Sequence, residues 1–269
     1  MSNGGYLMEN EEEALRLELK TDAASLRSQA LWAGIKPGMR VADIGCGCGI
    51  TTFLLHGLVQ PGGTVVGIDA SECRIEYAGH RYGNEAINFQ RRDMLQPLDD
   101  LGTFDFVWVR FVLEYFLRDA RAIVKNISRI VKPGGILCLI DLDHNCLNHY
   151  GIPPRLEKTL FDIMTSLQEK ADFDPYAGRK LYSHLYELGY TDIDVAVSAH
   201  HLIFGELREA DSFNWLKKVE TAPRKIGYSF PEYGGGYEEF IREFQRFFND
   251  PGRFTYSPII SCRGRKRLA

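Results

Sequence analysis

The 269-residue sequence has no apolar run long enough to cross a bilayer, so a membrane-spanning chain is not expected. It has no basic leader either, because residues 9–13 are mostly acidic, the wrong charge for a secretory signal peptide. Positive charge is not in excess: the net charge is −4, and the one conspicuous basic run is residues 263–267. We therefore expect a cytoplasmic protein without a broad basic face for nucleic acid.

The sequence also lacks a disulfide framework, an internal repeat and a low-complexity tract. Its six cysteines are scattered, which predicts free thiols. Cys46 and Cys48 flank a single glycine, a tighter spacing than metal-binding cysteine pairs use, so no metal is predicted. With 45% hydrophobic and 25% charged residues, the composition predicts one α/β domain over residues 1–269.

The most informative stretch is residues 41–49, Val-Ala-Asp-Ile-Gly-Cys-Gly-Cys-Gly, which leads into the helix-like residues 50–55. An apolar strand that passes through three glycines into a helix exposes bare backbone and the positive end of the helix dipole to a ligand. A dinucleotide-binding turn has the pattern Gly-x-Gly-x-x-Gly, with two residues between its second and third glycines. Counted from Gly45 and Gly47, the third glycine would be residue 50, which is Ile50 in this sequence. Asp43 would also repel a pyrophosphate, whereas it would attract an ammonium group. The pattern thus disfavours NAD.

This motif resembles the first motif of the class I methyltransferases that use S-adenosylmethionine (SAM). The resemblance implies a SAM site, with S-adenosylhomocysteine as product, formed here by Asp43, Gly45, Cys46, Gly47 and Gly49. The alternative for Asp43 is a cap on the following turn.

Three later segments resemble the family's next motifs in the same order. Asp69, with Ala70 after it, ends an apolar run 24 residues beyond Gly45 and is placed to accept from ribose hydroxyls. By resemblance, Asp93 would accept from the adenine amino group and Met94 would lie near the ring. Arg110 follows the fourth strand near the site. The alternatives are a strand-end turn for Asp69, core packing for Met94 and a solvent-facing Arg110.

The pattern of the chain alternates strands with helices, which predicts a Rossmann-like sheet with helices on both faces. The resemblance implies seven strands, mostly parallel, with the last one inserted antiparallel between the fifth and sixth. The predicted strands cover residues 41–44 and 64–69, a third lies within 87–94, and the others cover residues 106–109, 136–140, 193–204 and 256–263. The predicted helices cover residues 11–31, 50–55, 72–82, 120–131, 156–170, 178–188 and 237–248.

Three segments decorate this domain in the prediction: an N-terminal helical cap at 1–31 and two segments at 145–188 and 206–250. In the cap, Tyr6 and Arg16 resemble residues that approach the methionine end of SAM in some small-molecule members. A frayed tail is the alternative. The amphipathic residues 237–248 predict either a helix docked on the core or a lid over an apolar substrate pocket.

A methyl group on a sulfonium is already activated, so such an enzyme must chiefly align a nucleophile with it and exclude water. If the acceptor carries a proton, His144 is the predicted base, beside Asp141 and Asp143 at the end of the fifth strand. His149 and the pair His200 and His201 rank second. Because strand side chains alternate, that pair is expected to face opposite sides.

The predicted function is methyl transfer to a small organic acceptor. Quinone-type and natural-product methyltransferases share this layout, and residues 110–113 lack the Asn-Pro-Pro-Tyr segment of enzymes that methylate amides and adenine amino groups. The alternatives are a nucleic-acid or protein methyltransferase that uses the basic run at 263–267, and a SAM-binding protein without transfer activity.

Overall fold

The computed structural model describes residues 22–268. Within this range the first helix begins at Ala23. Asp22 is its N-cap: the Asp22 backbone is extended, and its side chain accepts hydrogen bonds from the backbone N–H groups of Ala24 and Ser25. Within residues 22–268, no helix combines the length and the hydropathy that a bilayer crossing requires.

The elements alternate as the sequence predicts. In chain order they are α1 (Ala23–Ala33), β1 (Arg40–Ile44), α2 (Ile50–Val59), β2 (Thr64–Asp69), α3 (Glu72–Tyr82), β3 (Ile87–Arg91), β4 (Phe104–Arg110), α4 (Ala120–Arg129), β5 (Val131–Leu142), β6 (His149–Tyr150), α5 (Pro154–Ala171), α6 (Leu181–Glu187), β7 (Thr191–Phe204), α7 (Glu209–Ile226), α8 (Gly236–Phe248) and β8 (Phe254–Arg265). Single 3-10 turns lie at Asp99–Leu101, Leu113–Tyr115 and Gly178–Lys180.

The strands form one mixed sheet in the order β3-β2-β1-β4-β5-β8, with β7 on the far edge of β8. β1 to β5 run parallel to one another, and β8 is antiparallel to both β5 and β7. This confirms the predicted Rossmann-like fold with the last strand inserted between the fifth and sixth. The eighth strand is the two-residue β6, which pairs with the start of β8.

Two predictions of local structure differ from the structure. The fourth long helix ends at Arg129, and β5 begins at Val131 and runs through the Pro-Gly-Gly segment that was expected to separate the two elements. The pairing of β5 with β4 is irregular there, between Phe104 and Phe106. α7 was not predicted, because Pro223 inside it interrupts the helical pattern of its sequence.

The sheet separates two apolar cores because side chains alternate along each strand. Along β4, Val107 and Val109 face the core that contains α4, whereas Phe106 and Trp108 face the core beneath α1 and α2. A third core lies outside the sheet, among α5, α7 and α8. We call these three helices the helical layer.

The aromatic face of α8 is the centre of the helical layer. Phe240 and Phe244 are fully buried and Phe248 nearly so. Phe244 stacks on Phe248 with ring centroids 5.2 Å apart and on Trp215 of α7 at 6.4 Å. These rings therefore serve as the core of a helical layer. This arrangement supports the docked-helix alternative for residues 237–248, although the helix docks on α5 and α7 rather than on the sheet core.

Replacing Phe244 with Ala should lower the free energy of unfolding by about 3–5 kcal/mol, because it empties a fully buried aromatic position. The matched control is Phe161→Ala on α5, whose ring is 54% exposed and whose loss should cost less than about 0.5 kcal/mol. Urea unfolding monitored by tryptophan fluorescence measures both. Equal losses in the two variants would contradict the burial assignment.

Candidate functional site

The sheet order places a crevice at the carboxyl ends of β1 and β4. From β1 the chain moves to β2 on one side, whereas β4 continues to β5 on the other side. Ile44 and Val109 are paired at the ends of the two strands. Loops that leave neighbouring parallel strands in opposite directions open a crevice, the usual ligand site of such folds.

The glycine turn after β1 forms one wall of this crevice. Gly45, Gly47 and Gly49 all have positive φ angles, of 71°, 54° and 89°, a conformation that other residues rarely adopt. A Cβ on Gly45 would lie 2.5 Å from Cγ2 of Val112, and one on Gly49 would lie 2.8 Å from Cβ of Ala78. A Cβ on Gly47 would meet no atom within 4 Å. The outer glycines thus permit close packing, and the middle one presents open backbone.

Asp69 at the end of β2 is bonded directly to this turn. Its Oδ2 accepts from the backbone N–H of Gly47 at 3.0 Å, and its Oδ1 accepts from the N–H of Ser71 at 2.9 Å. The guanidinium of Arg74 lies 4.0 Å away. Asp69 thus has the turn role that was its alternative assignment. An ionised carboxylate offers about four acceptor sites, so this role leaves capacity for ligand hydroxyls.

Asp43 is buried below the turn, with 2% of its surface exposed. Its Oδ2 accepts from the hydroxyl of Thr52 on α2 at 2.7 Å. Burial raises the pKa of Asp43 to about 7, against the opposing effects of the Thr52 hydrogen bond and the charge of Arg110. The Asp43 side chain is thus hydrogen-bonded to a side chain of α2. This differs from the alternative in which Asp43 caps the backbone of the following turn.

Arg110 ends β4 across the crevice and is half-buried, so it does not simply face solvent. Its Nε donates to Oε1 of Gln29 on α1 at 3.2 Å, and its guanidinium lies 4.1 Å from the ring centroid of Phe111. Burial lowers the pKa of Arg110 to about 10, although the charges of Asp43 and Asp141 oppose this shift. The side chain is therefore a cation at neutral pH between two buried acids.

The residues predicted for the adenine end, Asp93 and Met94, make no hydrogen bond to the glycine turn within the described part of the chain. The Asp93 side chain is exposed and accepts from the N–H of Leu95 at 2.9 Å, as in a local turn. Met94 is 6% exposed and packs in the core against the sheet, and Ala70 is exposed. Cys46 is a buried free thiol whose pKa is raised well above its usual value by burial. Tyr6 and Arg16 lie outside the described residues.

His144 lies on the loop after β5 and is half-buried. Its ring contacts Tyr176 edge-on, with centroids 5.1 Å apart, and makes no side-chain hydrogen bond within residues 22–268. Its neighbour Asp143 is held by both Nε and one terminal nitrogen of Arg179, each at 2.8 Å. The role of His144 as a base stays a prediction.

The other histidines are placed differently from expectation. His149 has both ring nitrogens within hydrogen-bond distance of Thr255 and of the Cys146 carbonyl, and burial lowers its pKa to about 4. The prediction that His200 and His201 face opposite sides is wrong, because their ring centroids are 3.9 Å apart. The register of β7 shifts at this point, and His201 has a positive φ of 50°, which breaks the alternation of side chains.

Two acids that the sequence places near the site, Glu114 and Asp141, form a buried pair, and this contact was not predicted. Glu114 follows β4 and is 4% exposed, and Asp141 near the end of β5 is 1% exposed. The N–H of Glu114 donates to Oδ2 of Asp141 at 3.2 Å, and Nδ2 of Asn145 donates to Oε2 of Glu114 at 2.9 Å. Burial and the charge of Glu114 raise the pKa of Asp141 well above its usual range. Twenty-seven residues separate the two acids along the chain, so no local pattern signals the pair.

Known proteins resemble this chain in two ways: in the sequence around the glycine turn and in the fold. Residues 42–139 match the family model described as a methyltransferase domain. The chain is 28% identical over 205 residues to a demethylmenaquinone methyltransferase of Lactococcus lactis, covering 74% of this chain and 70% of that protein. It is 34% identical over 123 residues to a 2-phytyl-1,4-naphtoquinone methyltransferase of Synechococcus elongatus, covering 43% and 51%. The chain thus spans about half the length of this second relative.

Among solved structures, a phosphoethanolamine N-methyltransferase 2 of Haemonchus contortus in complex with SAM has the same fold. The TM-score is 0.54 at 16% identity, and the match covers 91% of this chain and 53% of that one.

Replacing Asp43 with Asn should stabilise the protein at alkaline pH. Because the folded-state pKa of Asp43 lies above its ordinary value of 3.8, its contribution to stability falls as pH rises from about 4 through 7. Asn has no such loss, so the variant should gain up to about 4 kcal/mol over the wild type at pH 8 and little at pH 4. Urea unfolding at the two pH values measures this, with the exposed Asp119→Asn as control. A pH-independent difference would contradict the assignment.

Proposed function

We propose that this chain, which belongs to the class I SAM-dependent methyltransferases, transfers a methyl group from SAM to a small aromatic acceptor of the naphthoquinone type. The observation that carries the proposal is the open backbone of Gly47, with the carboxylate of Asp69 hydrogen-bonded beside it in the crevice between β1 and β4. The fold, the enzyme class and the cofactor are those of the family. The acceptor and the role of each residue are our proposal.

The donor set of the crevice fits SAM. The open face of Gly47 admits an adenosyl group, and Asp69 can accept from two ribose hydroxyls. Asp43 and Arg110 supply a carboxylate and a guanidinium, the partners that an ammonium and a carboxylate group require. Further proposed contacts follow the sequence motifs: Gly45, Cys46, Gly49, Ala70, Asp93 and Met94. The proposed roles of Tyr6 and Arg16 concern residues outside the described range.

SAM when bound supplies a methyl group already activated by positive charge on sulfur. The chain's own residues then have to orient the acceptor, exclude water and take up its proton. The turn after β4 and the loop after β5 lie between the crevice and the helical layer, since Tyr115 and Cys146 both pack with the aromatic core of that layer. This seam is the proposed acceptor site.

An apolar aromatic acceptor fits that seam better than a polymer does. Two relatives carry quinone substrates in their names. Of the two redox forms of such a molecule, the hydroquinone is the electron-rich one and can act as nucleophile toward a methyl cation equivalent, so it is the proposed substrate form. The cytoplasmic location, the exclusion of nucleic acid and the single domain over 1–269 with its decorating segments stay predictions from the sequence.

Asp69→Ala should weaken the affinity for S-adenosylhomocysteine about 10–100-fold, because charge-assisted hydrogen bonds contribute about 1.5–3 kcal/mol. Calorimetric titration measures the affinity, and Asp119→Ala, at an exposed position before α4, is the control. An unchanged affinity in a folded Asp69→Ala variant would remove Asp69 from the ribose site.

Methyl transfer itself is tested with radiolabelled SAM and a short-chain 1,4-naphthohydroquinone kept reduced by dithionite. We expect label in the naphthohydroquinone and none in the oxidised quinone, because only the reduced ring is nucleophilic. RNA and a mixture of unmethylated proteins are the comparison acceptors. Transfer to either polymer instead of the hydroquinone would contradict the proposal, and cofactor binding without any transfer would identify a SAM-binding protein.

A further inference from the structure

We propose that Glu114 accepts the proton of the acceptor hydroxyl, and that Asn145 and Asp141 position it for this step. The proposal rests on the proposed function and gives Glu114 the role that the sequence predicts for His144.

Glu114 lies at the seam between the sheet and the helical layer. It occupies the 3-10 turn Leu113–Tyr115, three residues beyond the end of β4. The next residue, Tyr115, packs with the helical layer and contacts Phe173 edge-on, with ring centroids 5.7 Å apart. On the other side, Asn145 precedes Cys146, another member of the same core. An acceptor held between the crevice and the helical layer would therefore lie next to this carboxylate.

Hydrogen bonds hold Glu114 at its carboxylate and at two points of its backbone. Asn145 donates to Oε2 of Glu114 at 2.9 Å, and the N–H of Asp174 donates to the Glu114 carbonyl at 2.7 Å. Asp141 accepts from the N–H of Glu114 at 3.2 Å and from that of Leu142 at 3.0 Å. Asp141 thus ties the turn after β4 to the end of β5. Such fixed geometry is what a base needs, since misplacement by about 1 Å costs about 100-fold in rate.

The two acids are held by different donors. Burial and the charge of Glu114 raise the pKa of Asp141 well above its usual range, although hydrogen bonds from the backbone N–H groups of Leu142, Glu114 and Leu113 oppose this shift. The Glu114 carboxylate accepts instead from a side-chain amide, that of Asn145. Close pairs of buried acids are typical of proton-transfer sites.

The proposed step balances as follows. The Glu114 carboxylate takes the hydroxyl proton and becomes neutral, and the electron pair of the O–H bond stays on the acceptor. That pair, through oxygen or the conjugated ring carbon, forms the bond to the methyl carbon while the S–CH3 pair remains on sulfur. One proton per turnover is finally released to solvent. After O-methylation it leaves from Glu114; after C-methylation the ring carbon loses its proton, and the proton on Glu114 returns to the oxygen, which restores the hydroquinone and the carboxylate.

Several other charged groups face this cluster and contribute to any pH dependence. Arg110 acts on Asp141 from the end of β4 together with Asp43. Lys218 of α7 lies 3.6 Å from the Cys146 sulfur, which itself contacts Oδ1 of Asn145. Asp174, which is paired with Lys180, follows α5. Among the charged groups of this cluster within residues 22–268, Glu114 is the one that accepts a hydrogen bond from the Asn145 amide. A change at Asn145 should therefore act on Glu114 first.

The test is Glu114→Gln, which keeps the shape of the side chain and removes the proton acceptor. Turnover of short-chain naphthohydroquinone at neutral pH should fall about 10²–10⁴-fold, with affinity for S-adenosylhomocysteine and the thermal midpoint unchanged. A chlorinated naphthohydroquinone, whose hydroxyl is more acidic and therefore more ionised at the same pH, should restore much of the turnover, because it depends less on a base. The control is Glu157→Gln, an exposed carboxyl on α5, which should leave turnover unchanged.

Two more variants address positioning and folding. Asn145→Ala should shift the acidic limb of the pH–rate profile to higher pH, because Glu114 loses the hydrogen-bond donor that favours its ionised form. His144→Ala should keep that limb in place, because His144 takes no part in the proposed step. These profiles remain informative if Glu114→Gln fails to fold.

The outcomes separate the two proposals. Full turnover by a folded Glu114→Gln, a loss that the acidic acceptor does not restore, or loss of the acidic limb in His144→Ala would overturn the assignment of Glu114. S-adenosylhomocysteine binding without any wild-type turnover of the hydroquinone would overturn the proposed acceptor, and this assignment with it.

Discussion

The close approach of Gly45 to Val112 is the constraint on which the crevice depends. A single carbon added to Gly45 would lie 2.5 Å from the Val112 side chain. This close approach lies between the turn after β1, which follows Asp43, and the turn after β4, which carries Glu114. The two turns leave neighbouring strands in opposite directions, and this divergence opens the crevice. The positions of the site's acids therefore follow from a glycine that no other residue can replace without shifting one turn.

The acids of this edge fall into two groups. Asp143 and Asp174 are paired with Arg179 and Lys180, at 2.8 Å and 2.6 Å, so their charges are compensated and serve to hold loops. Asp43 and Asp141 are buried and hydrogen-bonded to neutral donors, and burial raises their pKa values even though the charge of Arg110 acts on both. Burying an acid in this way destabilises the fold. Buried acids that lower the stability of the fold, as here at the carboxyl ends of β1 and β5, are characteristic of a functional site.

The sequence predicted the features that depend on local geometry. Three left-handed glycines after a strand are required by the turn itself, so their spacing predicted the turn, and Asp69 followed from the length of one strand-helix-strand unit. It could not reveal the Glu114 and Asp141 pair, which forms only when β4 and β5 lie side by side. It also missed the shift at His201, because a register irregularity depends on the partner strand. The aromatic stripe of α8 was visible, whereas its docking partner, α7, was not predicted.

The most direct test of the account is a calorimetric titration of the full chain with SAM, S-adenosylhomocysteine and NAD under one set of conditions. The account predicts that the first two bind with one site per chain and that NAD does not, because Ile50 replaces the glycine a dinucleotide turn requires and Asp43 repels a pyrophosphate. Binding of NAD in preference to the other two, or of none of the three, would contradict the assignment of the crevice between β1 and β4.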